Sequence, residues 1–340
     1  MAGERRRRGR DDFTVLLDEV QRLPELLDVV HGHIVDFPRM RFALSGSSTR
    51  RLRRGGVNLL AGRAVMCAMH PFMAGELGEQ FDLKRALRVG LLPVLWGTDT
   101  PEQHLAAYVG TYLEEEVRQE ALVRKLDAFA RFLEVAAFSH GTAPNYSAIG
   151  RECGISGNTA ESYMAILHDL LLAFSVPCYG RRPKKKTIGA PKFYFSDVGI
   201  YGSLRAPRFG TIGDSRIGFS WEGLVAQHLR AWCDYSSGRH GLYYWRGTGG
   251  AEVDFVVCGE DGLWAFEVKG SRMAQPEHLS GLRAFHRENP EASLFLIYGG
   301  KQSTVMGNVH CLPGEDFLRN LGTECGYPLG RPRGQSRHLH

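Results

Sequence analysis

The chain has 340 residues, more than one compact core usually needs, so we expect two or three domains. Hydrophobic residues make up 43% of the sequence and charged residues 23%, which excludes wholesale disorder, a coiled coil and a collagen-like chain. The 42 basic and 37 acidic residues leave a formal net charge of +5, a mild excess that permits nucleic-acid binding without requiring it.

The sequence also argues against membrane spans, secretion signals and stabilising disulfides. The most apolar stretch, 165–176, is interrupted by His168 and Asp169 and therefore does not predict a membrane span. The basic N-terminal residues are not followed by an apolar segment and a cleavage site. Cysteines are odd in number, seven, and none forms a CxxC pair, which argues for a reducing compartment. We therefore expect a cytoplasmic protein.

Composition and periodicity divide the chain into five segments of α/β character. Residues 1–12 predict a basic disordered tail, with a nucleic-acid-binding arm as the alternative. Residues 13–97 predict part of a parallel sheet with helices, and 98–190 change to a helical pattern. Residues 191–320 predict a mixed α/β domain. The Gly, Pro, Arg and His content of 321–340 predicts a second disordered tail.

The first elements follow the order strand, helix, strand. Residues 13–17 have the pattern of a buried strand, 24–33 that of a helix and 41–44 that of a second strand. In a parallel sheet, ligands lie beyond the carboxyl ends of the strands. The first strand ends in Asp18 and Glu19, as in a Walker B element, where an aspartate orients Mg²⁺ and a glutamate polarises the attacking water.

Residues 15–93 resemble the second half of an ATPase core of the AAA+ superfamily. The matching stretches are LLDEVQ at 16–21, RFALSGSS at 41–48, LAGR at 60–63, the pair His70 and Pro71 with Glu76, and GLLP at 90–93. The resemblance implies that Asp18 holds Mg²⁺ and that Ser45 or Ser47 is the sensor at the tip of the second strand. It also implies that Arg63 contacts nucleotide, in its own or a neighbouring subunit.

The P-loop of such ATPases, GxxxxGK[ST], is missing from the sequence, because no lysine follows a glycine that has a second glycine five positions earlier. In this family the loop precedes Walker B. Without it, no backbone cradle holds the β- and γ-phosphates. We interpret the chain as N-terminally truncated, through a late start codon or as a remnant. ATP would then be a cofactor only of a longer chain that contains the loop, and we expect little ATP hydrolysis as written.

Residues 146–156 and 158–167 predict a helix-turn-helix, with Gly154 in the turn. A basic run follows where a winged-helix domain places its wing, and it comprises Arg181, Arg182, Lys184, Lys185 and Lys186. The second helix offers no arginine or lysine to guanine edges, and a wing alone would bind phosphates without sequence specificity. A packing role and a DNA-reading role are equally supported.

Two apolar strands joined by a short loop between glycines predict a β-hairpin. Its register places Asp254 opposite Glu267 and Glu252 opposite Lys269, all on one face. The other face is apolar and comprises Val253, Phe255, Val257, Trp264, Phe266 and Val268. Close carboxylates repel unless a cation joins them, so the charged face suits a divalent metal with an activated water. The alternative is a solvated face with a Glu252–Lys269 cross-strand pair.

Asp254 and the 267–269 triplet match the D…ExK signature of the PD-(D/E)XK nuclease superfamily. The predicted helix at 219–232 turns Glu222 toward its core-facing side, an expensive place for a lone charge. Glu222 resembles the acidic residue on the first helix of that nuclease fold. Residues 105–297 as a whole resemble domain of unknown function 4143, which is commonly found behind AAA+ cores. The implied architecture is an AAA+ core, a winged helix and a restriction-endonuclease-like domain.

The leading hypothesis is a metal-dependent nuclease. By the resemblance, Glu222, Asp254 and Glu267 bind one or two Mg²⁺ or Mn²⁺ ions, and Lys269 assists the water that attacks a DNA phosphodiester. Arg246 and the basic run would hold the DNA backbone. The alternative is a non-catalytic nucleic-acid or protein interaction module on a degenerate ATPase and nuclease scaffold. We expect DNA as the partner, no membrane association and, because AAA+ proteins often form rings, a homo-oligomer.

Overall fold

A computed structural model of the chain describes residues 13–20, 23, 25–46, 63–112, 126–180, 189–205, 214–236 and 240–321. The chain divides into two compact units, which are described separately. The first unit comprises Met1–Cys67 and Ala165–Leu172, and the second comprises Ala68–Met164 and Ala173–His340. None of the helices within the described ranges is both long enough and apolar enough to cross a membrane.

Within the described residues, only helices lie between the second and the third strand, and most of the strands follow in the C-terminal half. The helices are α1 (Leu26–Asp36), α2 (Ala74–Leu77), α3 (Leu83–Val89), α4 (Pro93–Trp96), α5 (Pro101–Ala107), α6 (Leu126–Ala136), α7 (Tyr146–Cys153), α8 (Gly157–Asp169), α9 (Val198–Leu204), α10 (Asp214–Tyr235), α11 (Ser280–Glu288) and α12 (Gly314–Asn320). The strands are β1 (Thr14–Leu17), β2 (Arg41–Leu44), β3 (Ala173–Val176), β4 (Lys192–Phe195), β5 (Gly241–Arg246), β6 (Glu252–Gly259), β7 (Gly262–Lys269), β8 (Ser293–Tyr298), β9 (Thr304–Met306) and β10 (Val309–Pro313). The α/β character expected from the sequence is confirmed.

In the first unit, β1 and β2 pair in parallel, with Leu17 opposite Leu44, as the order of the elements predicts. Val30 of α1 and Val20 belong to a small buried cluster on this unit. The opposite side of β1 is open, and Leu16 is 70% exposed. The expected buried strand is therefore buried on one face only, because α1 covers just one side of this sheet within the described residues.

The helix-turn-helix is confirmed as a local structure. α7 ends at Gly154, whose φ of +67° is the left-handed conformation that glycine adopts readily. Ser156 Oγ accepts a hydrogen bond from Thr159 N at 3.1 Å and so caps the start of α8. β3 and β4 then pair antiparallel, with Val176 opposite Lys192. The basic run lies between these strands and falls outside the described residues, as does part of the predicted helical region, 113–125.

A six-stranded mixed sheet forms the C-terminal part of the second unit, in the order β5-β6-β7-β8-β10-β9. β5, β6 and β7 are antiparallel, whereas β7, β8 and β10 are parallel and α11 connects β7 to β8. Leu229 of α10 packs in one apolar cluster with Phe266, and Phe285 of α11 packs in another with Ala265. The sheet is therefore buried on both faces. The sequence predicted a single core face and no strand after 294–298, so β9 and β10 were missed.

The side chain of Asp197 connects the start of α9 to the residues after α3 by hydrogen bonds. Its side chain accepts hydrogen bonds from Gly199 N at 2.8 Å and from Leu91 N at 2.6 Å. The residue is fully buried, and this burial raises the pKa of its carboxyl to about 6 despite the backbone donors. Gly90 lies so close that a Cβ there would fall 1.8 Å from Asp197 Oδ1.

Replacement of Asp197 by alanine is expected to lower the free energy of unfolding by roughly 2–5 kcal/mol, because two buried N–H groups lose their acceptor. Chemical denaturation measures this change. The matched control is Asp82→Ala, since Asp82 caps α3 in the same way but is exposed. An equal loss of stability in both variants would contradict the role assigned to the buried cap.

Candidate functional site

Four acidic side chains gather at one end of the six-stranded sheet, and we call them the carboxylate cluster: Glu222, Glu252, Asp254 and Glu267. Glu222 lies on α10, Glu252 and Asp254 lie on β6, and Glu267 lies on β7. Lys269, the last residue of β7, ion-pairs with Glu267 and Asp254. The structure thus brings together the four residues that the sequence proposed as catalytic.

An irregularity in β6 sets the direction of Asp254. Tyr243 of β5 pairs with Val256, but Trp245 pairs with Val253, so one residue of β5 faces two of β6. Such a bulge bends the strand and redirects a side chain. Asp254 Oδ2 accepts a hydrogen bond from the backbone N–H of Val268 at 2.8 Å.

Because of the bulge, the faces predicted for the hairpin are wrong in part. The register is confirmed from Phe255 opposite Phe266 to the loop glycines. Val253, however, packs in the cluster that contains Val256, whereas Phe255 packs in the other cluster. Strict alternation placed Val253 and Phe255 on the same face. That alternation fails here because an extra residue in one strand exchanges the faces beyond it.

Glu267 forms a close ion pair with Lys269 and has one buried oxygen without a partner. Lys269 Nζ donates to Glu267 Oε1 at 2.7 Å and lies 3.9 Å from Asp254 Oδ2. Glu267 is only 9% exposed, and its second oxygen, Oε2, is buried without a hydrogen-bond partner. A buried carboxylate oxygen without a donor is unfavourable, and a cation or its water would satisfy it.

Two residues of β4 contact the carboxylate cluster, and neither was predicted from the sequence as a site residue. Lys192 Nζ lies 2.5 Å from Glu252 Oε1 and 3.8 Å from Glu222 Oε1, and Lys192 is only 6% exposed. The hydroxyl of Tyr194 donates to Glu222 Oε1 at 2.7 Å. Residues two apart in a strand lie on the same face. The sequence KFYF at 192–195 therefore indicates that Lys192 and Tyr194 share one face of β4, but not what that face contacts.

The position of β4 follows from contacts with β5. The backbone N–H of Tyr179 donates to Tyr244 O at 2.6 Å, and the Tyr244 hydroxyl donates to Ala190 O at 2.9 Å. These bonds join β5 to the residues after β3 and before β4, at one end of the β3–β4 pair. Lys192 is consequently held over the ring of Tyr244, 5.2 Å from its centroid.

Glu252 has partners other than the one considered from the sequence. Arg246 donates to Glu252 Oε2 through Nε at 2.9 Å and through Nη2 at 2.6 Å, while Lys192 holds Oε1. Lys269 is directed to Glu267, so the expected Glu252–Lys269 cross-strand pair is replaced by these two pairs. Arg246, predicted to hold DNA, thus already binds a carboxylate, although half of its side chain remains exposed.

Burial dominates the electrostatics of the cluster. Burial, followed by repulsion from Asp254, raises the pKa of Glu267 to about 8 and that of Glu222 to about 7. Burial opposes the charge of Lys192, but the neighbouring carboxylates outweigh it and raise the pKa of Lys192. Burial alone would raise the pKa of Glu252, but the hydrogen bonds and positive charges of Lys192 and Arg246 lower its pKa overall. When all four carboxyls are ionised, the cluster has more negative charge than Lys192, Arg246 and Lys269 neutralise, so Glu222 and Glu267 keep their protons at a higher pH than ordinary carboxyls do.

The donor set suits a divalent cation, with one restriction. Within the described residues, no group of three or more His, Cys, Asp and Glu side chains is arranged to hold a metal ion. Mg²⁺ is often held by only one or two carboxylates and completes its shell with waters and substrate phosphate. Asp254 and Glu267, with the unsatisfied Oε2 of Glu267, fit that mode of binding.

The residues predicted to contact nucleotide are only partly brought together. In the first unit, Ser45 Oγ donates to Asp18 Oδ1, and Glu19 N donates to Ser45 Oγ at 3.4 Å. Glu19 has a φ of +52°, a left-handed conformation uncommon outside glycine. Arg63 hydrogen-bonds to His31 of α1. Ser47 lies outside the described residues.

Three family models match successive parts of the chain. Residues 3–78 match a family described as an AAA domain, and 217–317 match Domain of unknown function (DUF4143). An AAA-type domain therefore lies at the N-terminal end and a DUF4143 domain at the C-terminal end, as the resemblances implied. Residues 80–209 match a different family, Domain of unknown function (DUF8612), which sequence reasoning had partly included in DUF4143. The match of DUF4143 is thus shorter than the predicted 105–297.

Two mycobacterial proteins are similar to this chain, and both are described as uncharacterized. An uncharacterized protein of Mycobacterium bovis and an uncharacterized protein of Mycobacterium tuberculosis are each 26% identical to this chain over 313 residues. The alignments cover 89% of this chain and 69% of each relative. No solved structure matches the chain.

Proposed function

We propose that the carboxylate cluster is the active site of a nuclease that hydrolyses DNA phosphodiesters with Mg²⁺ or Mn²⁺. The observation that carries the proposal is the buried, unpartnered Oε2 of Glu267 beside Asp254, with Lys269 on the other oxygen of Glu267. The like charges of Glu222, Asp254 and Glu267 at the end of a sheet are costly for folding, and a bound cation would offset that cost.

The order of elements around the cluster supports this assignment. α10 supplies Glu222, the β5–β6–β7 meander supplies Asp254 and Glu267, and α11 crosses over to the parallel strand β8. This arrangement agrees with the resemblance to the PD-(D/E)XK nucleases that the D…ExK residues carry. The DUF4143 match itself assigns no activity to the region.

In the proposed mechanism, Asp254 and Glu267, assisted by Glu222, would hold the cation, which would lower the pKa of a bound water and offset charge on the phosphate. The ammonium of Lys269, held by Glu267, orients the attacking water and stabilises the negative charge that develops on the phosphate oxygens. The water oxygen forms a bond to phosphorus as the bond to the leaving sugar oxygen breaks. The attacking water releases a proton to solvent, and the leaving oxygen takes a proton from solvent.

For the AAA-type domain we propose a role for Asp18 and Ser45 at the edge of β1 and β2. Their side chains meet beyond the carboxyl ends of two parallel strands, where nucleotide lies in such sheets. Cooperation with DNA and assembly into a homo-oligomer belong to the proposal, as does phosphate contact by the basic run. Binding of ATP there would require the P-loop, which the sequence lacks.

Cleavage of labelled plasmid, linear and branched DNA tests the nuclease proposal. With Mg²⁺ or Mn²⁺ we expect cutting by the wild-type protein and a loss of about 10³-fold or more in Asp254→Asn, because one cation ligand loses its charge. Asn can still accept the hydrogen bond from Val268 N, so the strand geometry is kept. Asp261→Asn, in the exposed hairpin loop, is the matched control and should cut normally.

Two results would refute the nuclease proposal. One is an absence of cutting together with no Mn²⁺ binding that depends on Asp254. The other is cutting that persists at the wild-type rate in Asp254→Asn. The first result would favour the alternative, an interaction module in which the lysines and Arg246 alone stabilise the cluster.

A further inference from the structure

Lys192 is a buried cation that belongs to no part of the nuclease signature. It lies on β4, within the 80–209 match, whereas all four carboxylates lie within the 217–317 match. Removing an ammonium from water costs several kcal/mol, and only close carboxylates offset this. Lys192 has such partners at 2.5 Å in Glu252 and at 3.8 Å in Glu222.

The cluster has two ends with different charge balance. At one end, the ion pairs of Asp254 and Glu267 among the described residues are both with Lys269, and Glu267 Oε2 lacks a hydrogen-bond partner. At the other end, Lys192 and Arg246 each bind one oxygen of Glu252. Oε1 of Glu222 accepts a hydrogen bond from the hydroxyl of Tyr194 and lies near Lys192. Unsatisfied capacity for a cation thus lies at the Asp254–Glu267 end.

We propose that Lys192 occupies the place of a second divalent ion between Glu222 and Glu252, so that the site takes one divalent ion, at the Asp254–Glu267 end. The inference rests on the proposed function and specifies its metal stoichiometry. Two-metal sites need carboxylates that are available to both ions. An ammonium already held between Glu222 and Glu252 makes that pair unavailable to a second ion.

The number of Mn²⁺ ions bound, measured by isothermal titration calorimetry on the full chain without DNA, tests this inference. We expect one ion for the wild-type protein and two for Lys192→Met, which keeps the length of the side chain but removes its charge. Lys192→Arg keeps the positive charge at this position and should bind one Mn²⁺ ion. The double variant Lys192→Met/Glu252→Gln removes both members of the ion pair and should also return to one.

A second variant keeps the test decisive if Lys192→Met does not fold, as judged by circular dichroism. Glu252→Gln leaves Lys192 in place and should still bind one Mn²⁺, with a Kd within about threefold of wild type, a difference under 1 kcal/mol. Loss of Mn²⁺ binding in Glu252→Gln would overturn the inference, because Glu252 would then be a metal ligand.

The remaining outcomes separate this inference from the nuclease proposal. Two ions in the wild-type protein, or one ion in folded Lys192→Met, would overturn the inference and leave a metal-dependent nuclease intact. Absence of any Mn²⁺ binding that depends on Asp254, in both wild type and Lys192→Met, would overturn both.

Discussion

Replacement of Glu267 by glutamine is expected to abolish cleavage and to reduce the fall in stability that the wild-type protein shows as the pH rises from about 4.5 to 8. The pKa of Glu267 is raised from its ordinary value of 4.5 to about 8, first by burial and then by Asp254. The folded protein therefore keeps a proton that the unfolded chain releases above pH 4.5. The corresponding stability is complete below pH 4.5 and is lost as the pH rises through 8.

The size of this effect follows from linkage. Each pH unit in that window lowers the free energy of unfolding by up to about 1.4 kcal/mol per group. Glu222, whose pKa is raised to about 7, also titrates in this range, so Glu267→Gln should flatten the pH dependence of stability only in part. Denaturation at pH 5 to 9 measures the slope, with Glu260→Gln, in the exposed hairpin loop, as the matched control.

Mn²⁺ adds a second readout to the same variant. A ligand that binds only the folded state stabilises it, and an ionised Glu267 is the form that binds a cation. At pH 8 we expect Mn²⁺ to stabilise the wild-type protein and to have little effect on Glu267→Gln. Identical pH slopes for the two proteins, or equal stabilisation by Mn²⁺, would show that Glu267 is not the buried carboxyl that the cation satisfies.

Replacement of Lys269 by methionine is expected to lower the cleavage rate about 10²–10⁴-fold and also to destabilise the fold. The rate falls because the positioned ammonium no longer assists proton transfer or charge development. Removing one partner of a fully buried ion pair costs about 3–5 kcal/mol. The Lys269 side chain is 35% exposed, so solvent screens the pair and the fall in stability should be smaller than this. The remaining carboxylates, Glu267 and Asp254, then repel each other without the cation that lies 2.7 Å and 3.9 Å from them.

A second substitution separates catalysis from stability at this position. Lys269→Arg keeps the charge and should restore most of the stability, yet little of the cleavage, because a planar guanidinium does not reproduce the point charge of an ammonium. Lys84→Met, at an exposed position on α3, controls for the loss of a lysine and should change neither quantity. Full cleavage activity in Lys269→Met would remove the ammonium from the mechanism.

Local patterns in the sequence determined most of the secondary structure and the composition of the site. The hairpin register and the helix-turn-helix followed from periodicity and from turn residues such as Gly154, because these depend on neighbours along the chain. Asp254, Glu267 and Lys269 could be singled out for the same reason, since they lie on paired strands. The short strand β9 carries three residues and too little pattern to be predicted.

Only the tertiary structure decided how the charges of the site are balanced. Lys192 and Tyr194 reach the cluster because β4 packs beside β5, a contact between segments far apart in sequence. The bulge that turns Asp254 toward Val268 depends on the pairing of β6 with both of its neighbours. Spacing along one strand carries no information on such contacts, so the sequence indicated the carboxylates of the site but not the buried cation that accompanies them.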